Sequence, residues 1–196
     1  MLNSKRATKL RVAGVCGVLT PIVVLTLILL AIHYSPWFSW TENALSDLGV
    51  QGIAAILFNS SLIIGGALTI IFAIGVRETL LNKALGRIGM LIFILDAAML
   101  CAIGIFPETA GDIHLYVSVA FFVLLPISLF LIGVSMMQEG SERKYGLFTI
   151  IAGIVVATVW MFQWEAVAIP EMIAALAVSV WSVMLGIKLF KQASLS

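Results

Sequence analysis

Charge is scarce in this chain of 196 residues: Asp, Glu, Lys and Arg make up only 11% of it. Soluble domains carry about 25%. With 62% hydrophobic residues and a mean hydropathy of +1.15, the composition argues against a water-soluble domain. No basic stripe is present, which excludes a nucleic-acid partner. With two histidines and no HExxH or HxxxH spacing, the common zinc motifs are missing. The two cysteines, Cys16 and Cys101, fall near opposite ends of their apolar stretches, so two free thiols are expected.

What remains is apolar sequence in six runs. A hydrocarbon core needs about 20 apolar residues per helical crossing. We read helices at 11–33, 51–76, 86–106, 113–135, 145–164 and 170–190, which use nearly the whole chain. The first run follows Lys5, Arg6, Lys9 and Arg11, like the n-region of a signal peptide. It continues to Ile32 without a small-residue cleavage site, so it reads as retained. No three-helix repeat links the two halves, which removes support for a repeat-based transporter.

The most telling absence is local. The first, third and fifth connections contain no Lys or Arg. The bases lie at the N-terminus, in the second connection (Arg77, Lys83, Arg87), in the fourth (Arg143, Lys144) and at the C-terminus (Lys188, Lys191). Because cytoplasmic loops are enriched in bases, both termini are expected in the cytoplasm of a multi-pass cell-membrane protein. The expected fold is therefore all-α: one six-helix transmembrane bundle spanning 1–196. Its external connections hold Glu42, Asp47, Glu108, Asp112, Glu165 and Glu171, together with His33 and His114. Tyr34, Trp37, Trp40 and Trp164 form an aromatic belt at that interface. Ser61, Gly65, Thr69 and Ala73 give the second helix a stripe for close packing, and Pro126 interrupts the fourth.

The first external connection, residues 34–50, predicts a short interfacial helix over 42–48. Thr41 is placed as its N-cap, Trp40 and Leu45 as a hydrophobic staple, and Gly49 as its end. Asn43 and Asp47 then share one face. The string Asn43-Ala44-Leu45-Ser46-Asp47-Leu48-Gly49, followed by Phe106-Pro107-Glu108 and His114, resembles the domain of unknown function 998 family. The likeness covers essentially the whole chain. It implies a six-helix membrane protein of archaea or bacteria, with a site at the first external loop and no established reaction. A Ser-Asp pair in the first loop and a later intrahelical His are also similar, more remotely, to the Frag1/DRAM/Sfk1 group.

Several polar residues are candidates for chemistry, each with a plainer role beside it. His114, with Asp112 as expected N-cap, could act as a base or metal ligand oriented by an acid, or simply bond a loop carbonyl. Asp47 could be catalytic or could pin the loop, with Asn43 and Ser46 as ligand contacts. His33 and His114 at matched depth could hold a metal or clasp a haem. Asp96, about ten residues from each end of its helix, is expected to be protonated, to face a wet cavity, or to bond a neighbour such as Thr158 or Ser128. Ser118, Trp164 and Glu165 complete the ligand-contact set, with Trp164 also a belt residue. Pro170 and Glu171 read as the first turn of the last helix.

These residues point to binding of a lipid or other amphipathic molecule at an outward site, with metal-assisted hydrolysis or transfer as the accompanying chemistry. The alternatives are a bis-His haem or cation-binding membrane protein, and a purely structural or assembly protein. Neither a cofactor nor an oligomeric state follows from these residues.

Overall fold

The structure is a computed structural model that describes residues 4–80 and 84–194. Lys83, one of the bases assigned to the second connection, lies outside them. The helices are α1 (Ser4–His33), α2 (Gly52–Leu80), α3 (Ala84–Ile105), α4 (Asp112–Met137), α5 (Arg143–Thr158) and α6 (Ala168–Ser194). There is no strand among the described residues. Six segments are long and apolar enough to cross a membrane, the fifth only when α5 is taken with its flanking 3-10 turns, Gly140–Met161.

Each helix packs on its neighbours in sequence, and α6 closes the ring onto α1. The α5–α6 seam is the sparsest of these contacts. The ring is drawn tight where backbones meet without side chains between them. A Cβ on Gly14 would sit 2.7 Å from the carbonyl oxygen of Gly186, and one on Gly186 would sit 2.8 Å from that of Gly14. Gly133 and Gly146 stand in the same reciprocal relation between α4 and α5, at 2.9 and 2.7 Å. The small-residue stripe of α2 behaves as expected: a Cβ on Gly65 would reach within 2.5 Å of Val24 on α1.

Two departures from the sequence reading have physical causes. Helix α1 begins at Ser4 rather than at residue 11. Its basic first turns are held by Glu78 at the end of α2, which receives Lys9 Nζ at 3.0 Å, while Arg6 donates to its backbone carbonyl at 2.8 Å. Helix α5 ends early, at Thr158. A 3-10 turn, Val159–Met161, follows, and the chain unwinds before α6. Trp164 Nε1 caps this end by donating to the Val159 carbonyl at 2.8 Å.

The core is divided in two. Toward the basic end, Phe72, Phe93, Trp181, Leu129, Ile132 and Leu185 belong to one buried cluster. Toward the base-free end, Ile28, Phe58, Leu62, Ile103 and the loop residues Leu45 and Leu48 form another. The seam between them holds a cavity, described below. Cys16 and Cys101 are free, as expected from their separation.

Candidate functional site at the base-free end

The first connection folds over the mouth of the bundle. Its regular part is a 3-10 turn, Leu45–Gly49, shorter and later than the expected helix over 42–48. The capping group also differs. Thr41 Oγ1 lies 3.3 Å from the Ser39 hydroxyl, and it is Asp47 that reaches back to accept from the Ala44 amide at 2.9 Å. Trp40 packs edge-on against Phe38 instead of stapling Leu45. Leu45 and Leu48 insert into the bundle and are buried, so the apolar face of the loop rests on protein.

Most residues of the loop string have a structural task. Asn43 accepts from the Ser39 amide and donates to Asp47 Oδ2, both at 2.9 Å. Its carbonyl accepts from the Ala168 amide at 3.1 Å, joining the loop to α6. Gly49 leaves room for Asn59: a Cβ there would lie 2.6 Å from Asn59 Oδ1, and Asn59 Nδ2 donates to the Gly49 carbonyl at 3.0 Å. Ser46, half-buried, lines both cavities described next.

Two acids outside the loop complete the mouth. Glu171 stands in the first turn of α6, as expected, and its Oε2 also accepts from the Leu45 amide at 2.7 Å and so holds the loop down. Partial burial and the neighbouring Asp47 carboxyl push the Glu108 carboxyl up to about 7. Glu171 lies within Coulombic reach of both. Sequence reasoning passed over Glu108 and Glu171 as site residues. Their only signal was membership of the external acidic set, which spacing could not converge.

Two spaces meet beneath this mouth. An outer groove of about 860 Å³ runs along α4 toward α5 and α6, under the unwound end of α5. Its upper wall carries Glu108, Asp112, His114 and Glu171, and its lower wall carries Val119, Val123, Ile127 and Ala157. Val119 and Val123 are themselves half-exposed on the flank of the bundle, so the groove opens sideways. An inner cavity of about 140 Å³ lies deeper, between the two core clusters, and reaches Asp96. The two share Ser46, Ser118, Phe122 and Glu171 in their linings.

His114 is nearly buried, and its Nδ1 lies 2.8 Å from the Phe106 carbonyl. A carbonyl only accepts, so Nδ1 carries the proton and, in the neutral ring, Nε2 is an acceptor. Asp112 is the first residue of α4 and is exposed; Gly111, with φ at 65°, holds the cap position instead. A left-handed φ suits glycine there. His33 is exposed and stacks edge-on against Tyr34, away from both linings. Trp164 and Glu165 also lie outside these linings. No three His, Cys, Asp or Glu side chains converge as a metal-binding group among the described residues.

Asp96 is 1% exposed, and its Oδ1 is buried without a hydrogen-bond partner. The two partners expected for it are engaged elsewhere. Ser128 donates to the Leu125 carbonyl and Thr158 to that of Ile154, each within its own helix.

No curated protein and no solved structure matches the chain. A match over residues 15–188 places the chain in the family described as Protein of unknown function (DUF998).

Proposed function

We propose that this membrane protein binds a bilayer lipid in the outer groove, with its headgroup against the Glu108, Asp112, His114 and Glu171 wall. In this reading the base-free end faces outward and both termini are cytoplasmic, in keeping with the distribution of Lys and Arg. The observation that carries the proposal is the continuity of the groove from a polar rim to a side-opening apolar wall. Ligand sites of this kind are mostly apolar, with a few polar groups that fix orientation. The rim offers acceptors and no Lys or Arg, so it favours headgroups that donate hydrogen bonds, namely amines and hydroxyls.

The test is mass spectrometry of lipids retained by protein purified from its native membrane. Ala157→Trp fills the groove, whereas Leu91→Trp places the same side chain on an exposed face of α3 outside it. Loss of amine- or hydroxyl-headed lipid from Ala157→Trp alone supports the proposal. Equal retention by both variants rejects it.

A second reading adds acid–base processing of the bound headgroup. It rests on the near-neutral Glu108 carboxyl and the His114 Nε2 acceptor, which line the same groove. Turnover of a retained lipid that disappears in Glu108→Gln, with binding preserved, is its expected signature.

A further inference from the structure

The inner cavity contains a chemical mismatch. Asp96 lines it as one of the most buried residues of the protein, yet Oδ1 has no partner. Its lining contains no Lys, Arg or His. Two of the lining hydroxyls are turned away: Thr20 donates to the Cys16 carbonyl and Ser182 to that of Ser179. A buried carboxyl group is normally paired or hydrogen-bonded, because the alternative forfeits its interactions with water.

The floor of the same cavity is aromatic. Phe72, Phe93 and Trp181 meet edge-to-face, with ring centroids 5.3–6.5 Å apart. Trp181 is fixed in turn by Nε1 donating to Thr149 Oγ1 at 2.9 Å. Phe93 and Asp96 are three residues apart on α3 and therefore share a helix face. Aromatic rings with a carboxyl group close by form the chemistry that recognises organic ammonium ions: the rings attract the cation and the acid supplies the counter-charge. Glu171, at the outer side, is the other carboxyl group in the lining, and a cavity whose ionisable groups are all acids attracts cations rather than anions.

We infer that the inner cavity is a binding site for a small lipophilic amine in its protonated form, with Asp96 as counter-ion over the Phe72–Phe93–Trp181 floor. The volume fits a one-ring ligand, since an apolar cavity of about 150 Å³ takes up benzene. Leu45 and Ser46 line its outer side, and Leu45 is the residue tethered by Glu171, so a ligand inside lies beneath the pinned loop. The site adjoins the lipid groove, with which it shares Ser46, Ser118, Phe122 and Glu171, but it does not depend on a lipid being bound there.

Benzylamine and benzyl alcohol differ in charge while matching in shape, so the pair isolates the role of Asp96. Isothermal titration of the full-length protein in detergent at neutral pH is expected to show saturable benzylamine binding. Benzyl alcohol is expected to bind about tenfold more weakly, or beyond that to show no saturation. Asp96→Asn keeps the side-chain shape and is expected to reduce benzylamine affinity to the alcohol level. Equal affinities for amine and alcohol in the native protein overturn the inference without reference to any variant. So does an amine preference retained in Asp96→Asn, or the absence of saturable benzylamine binding to the native protein.

Discussion

The carboxylate of Glu171, in the first turn of α6, accepts a hydrogen bond from the backbone amide of Leu45 at 2.7 Å, across a sequence separation of 126 residues. Through this bond the last helix fixes the first connection over the mouth of the bundle. Leu45 and Leu48 are inserted below it, and the Asn43 carbonyl is held by Ala168 beside it. The loop is thus part of the packed structure, and its position sets the roof of both cavities.

Removing that tether should loosen the loop selectively. In Glu171→Leu, amide hydrogen exchange over 43–49 is expected to speed up, reflecting a loss of about 1–3 kcal/mol for a buried donor left without its partner. Glu171→Gln retains an acceptor oxygen and is expected to stay close to the native protein. Unchanged exchange in Glu171→Leu would show that the loop is held by its leucines alone.

The Glu108–Asp47 pair predicts a pH dependence of defined sign. The Glu108 carboxyl is raised to about 7, above its ordinary 4.5, so the folded state holds this proton more tightly than the unfolded chain. Its stabilising contribution is complete below the ordinary carboxylate range and is lost as pH rises through about 7. Ionisation then sets Glu108 against Asp47, with Glu171 also in reach. The Tm should fall between pH 5 and pH 8, and the fall should be shallower in Glu108→Gln. An identical slope in the two proteins would remove this pair as the cause.

The reciprocal contact of Gly14 with Gly186 leaves no space for a side chain on either helix. Gly14→Val forces α1 and α6 apart and is expected to cost about 1–3 kcal/mol, seen as a lower Tm in detergent. Gly140→Val, where a Cβ meets nothing within 4 Å, serves as the control and should show little change.

The two histidines should differ sharply. His114→Ala removes a nearly buried ring that bonds the Phe106 carbonyl, and should cost about 1–3 kcal/mol of stability. His33, exposed against Tyr34, should be replaceable by alanine with no change in Tm. A purified protein with a Soret band that either substitution abolishes would instead establish haem ligation by this pair.

The number of helices, their approximate limits and the family were legible because they depend on local composition: runs of apolar residues, and a motif spelled out in consecutive positions. The limits that shifted are those set by contact. The first turns of helix α1 are held against Glu78 at the end of α2, and α5 ends at Thr158, where Trp164 caps the chain. In the first connection, Asp47 and Asn43 were identifiable as polar neighbours on a short helix. That Asp47, rather than Thr41, would satisfy the amide at its start depended on how the chain turns before it.

The base-free end could be located by counting, since charge is a property of residue type and hydrophobic runs order the connections along the chain. Convergence is another matter. Asp47, Glu108 and Glu171 come from three connections or helix starts, and only the closure of α6 onto α1 gathers them at one mouth. The sequence by itself determined that an acidic, base-free end would exist and that Asp96 would need an answer within the bundle. Tertiary structure alone decided that Ser128 and Thr158 bond within their own helices and that Asp96 Oδ1 stays unpaired in a cavity also lined by Phe72, Phe93 and Trp181, because side-chain bonding is settled by helix rotation and packing rather than by residue order.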